Sequence, residues 1–381
     1  MRYRAVWCLI FVLAAGVTAN AANVTRTEHF EIVFDDDGGD AETVGAQMET
    51  RFGVYNRLFR FDPEQAVFPL RVRAFTDTDA YNAYVESRLK TPLPGAVYLH
   101  YSQTEKRELV INCGSAEEKS TLPYQAFVQF FRAFVTQPPA WMREGFAFFF
   151  NTLIFTGEGQ LAYEENLAWL ETVKTMQNRP AIEEILLADD PSGSDFQSLA
   201  WSLVSFFINS GKEEYARALT DSFMALSNAN TGAQNTQAVM KRIMLGNSAD
   251  GLAKDYENYL DSRKTFTELI TAGQMAYNAG DRLGAELSFR SALDQKPGHF
   301  VPLYYLGLLA YEGNDFAVAE QFYQASMQGD ADQPLVLYAL GINAAAAGKN
   351  AQAVDYLRQA AAAAPERYRD KAEHIISRLG K

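Results

Sequence analysis

Leu306-Gly307-Leu-Leu-Ala-Tyr-Glu-Gly-Asn-Asp315-Phe-Ala-Val-Ala319 places a small residue, a turn and a second small residue at spacings that recur along the C-terminal third of the chain. Gly307 stands 34 residues after Gly273 and 34 before Gly341, and Ala319 keeps the same step from Ala285 and to Ala353. A fixed period of this length is the sequence mark of stacked helix-turn-helix units, each burying its apolar face only against its neighbours. Three units follow, 266–299, 300–333 and 334–367. The charged tail from Glu366, with residues 368–381 as a capping helix, turns Ile375, Ile376 and Leu379 inward.

Within each unit the small residue lets two helices approach, at Ala272-Gly273, Leu306-Gly307 and Leu340-Gly341. The turns Ala279-Gly-Asp281, Gly313-Asn-Asp315 and Ala347-Gly-Lys349 have the residues a tight connection needs. The second helices carry Ala285/Phe289/Ala292, Ala319/Tyr323/Ser326 and Ala353/Leu357/Ala360 at helical spacing. Pro297 and Pro365 close the first and third units, and Ala331 stands at the matching place in the second. The pattern resembles tetratricopeptide repeats. That resemblance implies a concave face lined by the first helix of each unit, where Tyr277, Tyr304, Leu308, Tyr311, Tyr338 and Ile342 would form a groove for a protein or peptide partner. Rings on a groove are suited to anchoring such a partner. The alternative is that some of them pack inward and leave a shorter groove.

The 381 residues have length for two or three domains, and 48% hydrophobic with 21% charged content is ordinary for a globular protein. Met1–Arg4 is basic, Ala5–Val17 is apolar, and Ala19 and Ala21 match the small-x-small cleavage pattern, so residues 1–21 are expected to be a secretory signal. The apolar run falls short of the roughly 20 residues a spanning helix needs. No lipid or membrane anchor is expected after cleavage. Losing Arg2 and Arg4 leaves 32 basic against 47 acidic residues. That balance argues against nucleic acid and anionic membrane surfaces as partners. Cys113 is then the one remaining cysteine. No intramolecular disulfide follows, and the thiol is expected to be a small buried hydrophobe.

Ahead of the repeats, Phe30, Ile32 and Phe34 alternate as in a half-buried strand, and Val44, Met48, Phe52, Tyr55 and Phe59 keep helical spacing. Leu70–Phe75 alternates again, a short helix capped by Thr78 or Asp79 carries Tyr81, Tyr84 and Val85, and strands over Ala96–Tyr101 and Glu108–Asn112 form a hairpin around the polar run Ser102–Arg107. These elements make residues 22–119 an α+β module. Residues 120–263 read as helical, with Asp189–Asp195 and Asn228–Thr236 as loops and Phe196–Asn209 as an apolar helix. Phe127, Phe130, Phe131 and Phe134 form a core stripe.

This order, followed by Pro139-Ala-Trp-Met-Arg-Glu-Gly-Phe-Ala147 and then Phe196–Phe207, resembles the catalytic domain of gluzincin metallopeptidases of the bacterial peptidase-MA-like group over about residues 25–260. The family carries a His-Glu-x-x-His helix, then a second helix whose Glu completes a zinc site. In the best register Tyr124 and Val128 hold the two histidine positions, Gln125 the glutamate, and Glu144 the third ligand position. Two imidazoles at i and i+4 supply zinc ligands from one helix face, and the carboxylate between them deprotonates the bound water. Tyrosine is a poor neutral ligand, valine has no donor atom, and an amide does not accept a proton near neutral pH. No histidine lies between His100 and His299 to rescue another register. The resemblance therefore implies a pseudopeptidase without catalytic residues, metal or cofactor.

Glu144 is expected to serve as a helix-start residue and Trp141 as a packing anchor. His29 and His100 lie on separate strands and are expected to be ordinary polar residues. No nucleophile elbow or phosphate loop is present. The expected fold is an α+β gluzincin-like domain with a helical subdomain, then an all-α repeat solenoid. The expected function is an exported, non-catalytic interaction or scaffold protein, placed in a bacterial periplasm. Two rivals stay open: an active hydrolase or peptidase using an unrecognised site in the same cleft, and a peptide-binding domain reusing that cleft.

Overall fold

The computed structural model describes residues 23–379 other than 36–37, 92, 157–159, 164, 190–192 and 329–331. The expected signal segment, residues 1–21, and the Ala331 position lie outside the described residues. The chain divides into two compact units at Tyr259/Leu260, ahead of residue 266 where the period begins. The first combines a mixed sheet with helices and the second is all helix.

The first unit opens with β1 (Asn23–Arg26), β2 (Phe30–Phe34), α1 (Ala41–Phe59), β3 (Leu70–Phe75), α2 (Thr78–Leu89), β4 (Ala96–Leu99) and β5 (Glu108–Asn112). Its sheet runs β1-β2-β3-β5-β4, parallel at β2/β3 and β3/β5 and antiparallel at both edges. Phe30 pairs with Leu70, Val72 with Leu109 and Ala96 with Ile111. Phe30, Ile32 and Phe34 are buried while Glu31 and Val33 are less so, as the alternation required. Helix α2 packs Tyr81 and Val85 on Phe75, Val97, Leu99 and Val110. Its N-cap is Asp77, whose carboxylate accepts from the Asp79 and Ala80 backbone N–H groups, rather than Thr78 or Asp79. The cap comes one residue earlier because the short aspartate side chain turns back on those N–H groups.

The helical part contains α3 (Glu118–Phe134), α4 (Ala140–Asn151), α5 (Leu167–Thr175), α6 (Ile182–Leu187), α7 (Ser194–Asn209), α8 (Glu213–Phe223), α9 (Gly232–Ile243) and α10 (Ala249–Ser262). Two features depart from expectation. A hairpin of β6 (Leu153–Thr156) and β7 (Gln160–Tyr163) interrupts the helices. Helix α9 begins inside the stretch expected to be a loop, because Thr231 and Gln234 form a reciprocal capping box. The aromatic stripe of α3 is the centre of the core, with Phe127, Phe130, Phe131 and Phe134 buried. Phe59 of α1 and Phe146 of α4 pack against it, at ring-centroid distances of 5.7 Å from Phe127 and 6.1 Å from Phe127 respectively.

The second unit carries α11 (Phe266–Asn278), α12 (Arg282–Gln295), α13 (Phe300–Glu312), α14 (Phe316–Ser326), α15 (Gln333–Ala346), α16 (Asn350–Ala363) and α17 (Pro365–Leu379). Each small residue of the period faces one large residue 16 positions later. A Cβ added at Gly273 would lie 2.7 Å from the Phe289 ring, one at Gly307 2.5 Å from the Tyr323 ring, and one at Gly341 2.6 Å from Leu357. Only glycine admits that approach within each helix pair. Between the pairs' helices Gly280, Asn314 and Gly348, again 34 apart, all take the left-handed conformation. Asparagine tolerates it where the others are glycine. Asp281 and Asp315 then cap α12 and α14 through their side chains, while Lys349 at the same place makes no side-chain cap.

Candidate functional site

Helix α3 meets the edge of the sheet and the start of α4 on two of its faces. Thr121 and Gln125, one turn apart, turn toward β4. The Thr121 hydroxyl accepts from the Ala96 N–H at 2.8 Å, and Gln125 Oε1 accepts from the Tyr98 N–H at 3.0 Å. The match is geometric: two strand residues rise about 6.6 Å and four helix residues about 6 Å. Helix side chains thus satisfy successive outward N–H groups of the edge strand, which would otherwise be open to another strand. Gln125 is a structural link and lies turned away from Glu144's partners.

Tyr124, on the neighbouring face, reaches α4. Its hydroxyl donates to Glu144 Oε2 at 2.7 Å. Arg143 Nε donates to Glu144 Oε1 at 2.8 Å, and Gln197 Nε2 of α7 donates to Oε2 at 3.3 Å. Glu144 is buried, with 6% of its surface exposed. Every one of these partners is a side-chain donor. The expectation that Glu144 caps a helix start is corrected: α4 has Pro139 as its cap, no acid in its first turn, and Glu144 five residues in. Burial, the Glu144 charge and the hydrogen bond to it push the Tyr124 phenol well above its usual range, so it stays a neutral donor.

The structure therefore joins Tyr124 and Glu144, directs Gln125 to the sheet edge, and buries Val128, 8% exposed, in the core beside them. The Glu144 carboxylate is committed to a phenol, a guanidinium and an amide, none of which is a good zinc ligand. Among the described residues no group of three or more His, Cys, Asp and Glu side chains is placed to hold a metal ion. Around the pair, Phe148 lies 4.8 Å from the Tyr124 ring and Trp169 lies 4.3 Å from Phe148. Gly145 is fixed by α7: a Cβ there would sit 2.4 Å from the Ala200 carbonyl oxygen. Trp141 is fully buried, its ring 5.9 Å from Phe207.

No protein-family model matches the chain, and none of the curated proteins matches it in sequence.

His29 is part-buried, stacked on Phe52 at 3.8 Å, with Nδ1 2.7 Å from Glu49 Oε2. This His–carboxylate pair ties the residue just ahead of β2 to α1, and His29 and His100 each lie one residue outside a strand rather than on it. His100 lies near Tyr98, their rings 5.8 Å apart. Partial burial, then the Arg132 and Arg107 cations, hold its imidazole down at about 4. Cys113 is exposed, which corrects the expectation of a buried thiol. It directly follows Asn112, the last residue of β5.

All six array positions are half-buried, and they differ in what they pack against. Tyr304 packs with the buried cluster of Ala319, Tyr323, Val336 and Leu340, and Tyr338 stacks on Tyr368 of α17 at 4.9 Å. The two tyrosines belong to different clusters, not to one run of touching rings. Tyr277 donates to Glu312 and its ring meets Tyr305 edge-on at 5.4 Å, and Tyr311 packs at 6.0 Å from Phe316. Leu308 and Ile342, which share one place in the period, are half-buried. Arg143, Gln197 and Thr121 are site residues to which the sequence reading gave no role. Arg143 adjoins Glu144, a usable signal, whereas nothing local marks Gln197.

Proposed function

We propose that the chain is an exported, non-catalytic interaction protein, built from a degenerate gluzincin-like domain and three tetratricopeptide-like units that capture a protein or peptide partner. One observation carries the non-catalytic part: the Glu144 carboxylate is held by Tyr124, Arg143 and Gln197, and the position where a general base would stand is a glutamine bonded to the β4 backbone. Such a constellation has donors but no base poised on water and no ligand set for a metal.

Partner capture rests on the helix pairs of the second unit, whose glycine-to-ring contacts repeat with the 34-residue period. Arrays of this kind expose an extended face on the first helices, and Leu308 and Ile342 are its half-buried apolar positions. The test is capture from a native cell-envelope extract with the full chain and with a Leu308→Ser/Ile342→Ser variant, read by mass spectrometry. Partners retained by the parent and lost by a stably folded variant support the reading. Identical partner sets for both would move the binding face elsewhere.

A further inference from the structure

A second site lies across the end of the sheet where β3 and β5 begin, in a pocket of about 560 Å³. Two arginines in its wall are held by backbone rather than by carboxylates. Arg71 donates to the Glu105 carbonyl at 2.8 Å, and Arg107 Nε donates to the Tyr101 carbonyl at 2.7 Å. Each guanidinium has five N–H donors, so most remain for something else. Among the described residues neither makes an ion pair, in a chain whose net charge is −13. Arg26, which shares the rim, is by contrast paired with Glu31 at 2.5 Å.

Gln129 of α3 supplies the second observation. It lines the same pocket at 2% exposure, and its Nε2 donates to the Arg71 carbonyl at 2.8 Å. That bond fixes the amide's orientation and leaves Oε1 without a hydrogen-bond partner. A buried acceptor without a donor is unusual in a folded protein and asks for an N–H. Phe68, Leu70 and Ala133 give the pocket apolar wall, and Tyr98 completes it. Burial pushes the Tyr98 phenol up to about 12 while Arg107 and Arg132 pull it down, which places those cations close by.

We propose that this pocket takes the C-terminal carboxylate of a peptide that ends in an apolar residue. The carboxylate pairs with Arg71 and Arg107 in the forked geometry guanidinium favours. The terminal side chain lies on Phe68 and Leu70, and the last amide N–H turns to Gln129. A fatty acid shares the carboxylate and the apolar body but lacks that N–H. The site is separate from the Tyr124–Glu144 pair and from the helical array, so its success or failure is independent of both.

The test is calorimetric titration of the full chain with N-acetyl-Ala-Ala-Leu as the free acid, with its C-terminal amide, and with octanoate. The acid is expected to bind, the amide about tenfold or more weakly, since a charge-assisted pair is lost. Octanoate is expected to bind more weakly than the acid. Arg71→Gln/Arg107→Gln should lower affinity for the acid to that of the amide. Should the double variant melt early, Arg107→Gln alone gives the same comparison, with a smaller drop. Equal binding of acid and amide would overturn carboxylate recognition, and octanoate matching the acid would overturn the peptide. No binding by any probe at millimolar concentration would overturn the site.

Discussion

The Tyr124 hydroxyl donates to Glu144 Oε2 at 2.7 Å, so these side chains of α3 and α4 face each other across the helix pair. A neutral phenol and a carboxylate make a stable, directional link in which the proton rests on the tyrosine. The pair fastens two helices of the core.

Removing the hydroxyl tests that link. Tyr124→Phe keeps the ring against Phe148 and leaves Glu144 to Arg143 and Gln197. A hydrogen bond to a charged group is worth about 1.5–3 kcal/mol. Urea unfolding should therefore show a loss of about 2 kcal/mol with an unchanged denaturant slope. Unchanged stability would mean that the link carries no weight in the fold.

Gly307→Ala separates two opposing effects. An alanine in a helix interior gains about 1 kcal/mol over glycine. Here its Cβ would meet the buried Tyr323 ring at 2.5 Å, and overpacking of that kind costs about 1–3 kcal/mol. Net destabilisation is expected, seen as an earlier thermal transition of the second unit. A stabilised variant would show that the helices do not approach as closely as Gly307 and Tyr323 do here.

Tyr304 and Leu308 should behave differently although one turn apart. Tyr304 sits in the cluster with Tyr323 and Leu340, 5.9 Å from the Tyr323 ring, so Tyr304→Ala should cost about 2 kcal/mol of stability. Leu308→Ser should leave the melting temperature nearly unchanged and weaken partner binding about tenfold, as loss of an interface contact does. Binding lost only in step with stability would show that the array's first-helix face is core rather than groove.

His100 gives a pH signature. Its imidazole is held at about 4 in the fold against 6.5 when unhindered, so between those values the unfolded chain binds the proton and the folded chain does not. Its contribution to stability is fully present above about pH 6.5 and lost as the pH falls through about 4. His100→Asn should flatten the decline of melting temperature in that window. A His100 ring resonance titrating with a midpoint near 6.5 would contradict the placement beside Arg132 and Arg107.

Much of the fold is legible in the sequence because period and burial coincide. Phe30, Ile32 and Phe34 alternate and are buried, and Gly273, Gly307 and Gly341 each face the large residue 16 positions on. Harder to read were features made by local capping or by contacts far apart in the chain. The capping box at Thr231 turns a polar stretch into a helix start. The hairpin after Thr152 carries no strong alternation to separate it from the helices around it. At the site, sequence register brought Tyr124 to Glu144, since α3 and α4 are adjacent along the chain. Gln197 reaches the same carboxylate from 53 residues away, and Gln129 meets the Arg71 carbonyl from 58 away, with no local signal for either. Tyr304 and Tyr338, equivalent by period, part company because α17 supplies Tyr368 to one of them.

The central claim is that the Tyr124–Glu144 pair does no metal-dependent chemistry, and elemental analysis tests it most directly. The full chain is incubated with excess zinc, dialysed against metal-free buffer, and its metal content measured beside that of Glu144→Gln. Well under one equivalent of zinc, the same in both proteins, is the result expected from a carboxylate already held by Tyr124, Arg143 and Gln197. One equivalent retained by the parent and lost in Glu144→Gln would contradict the account.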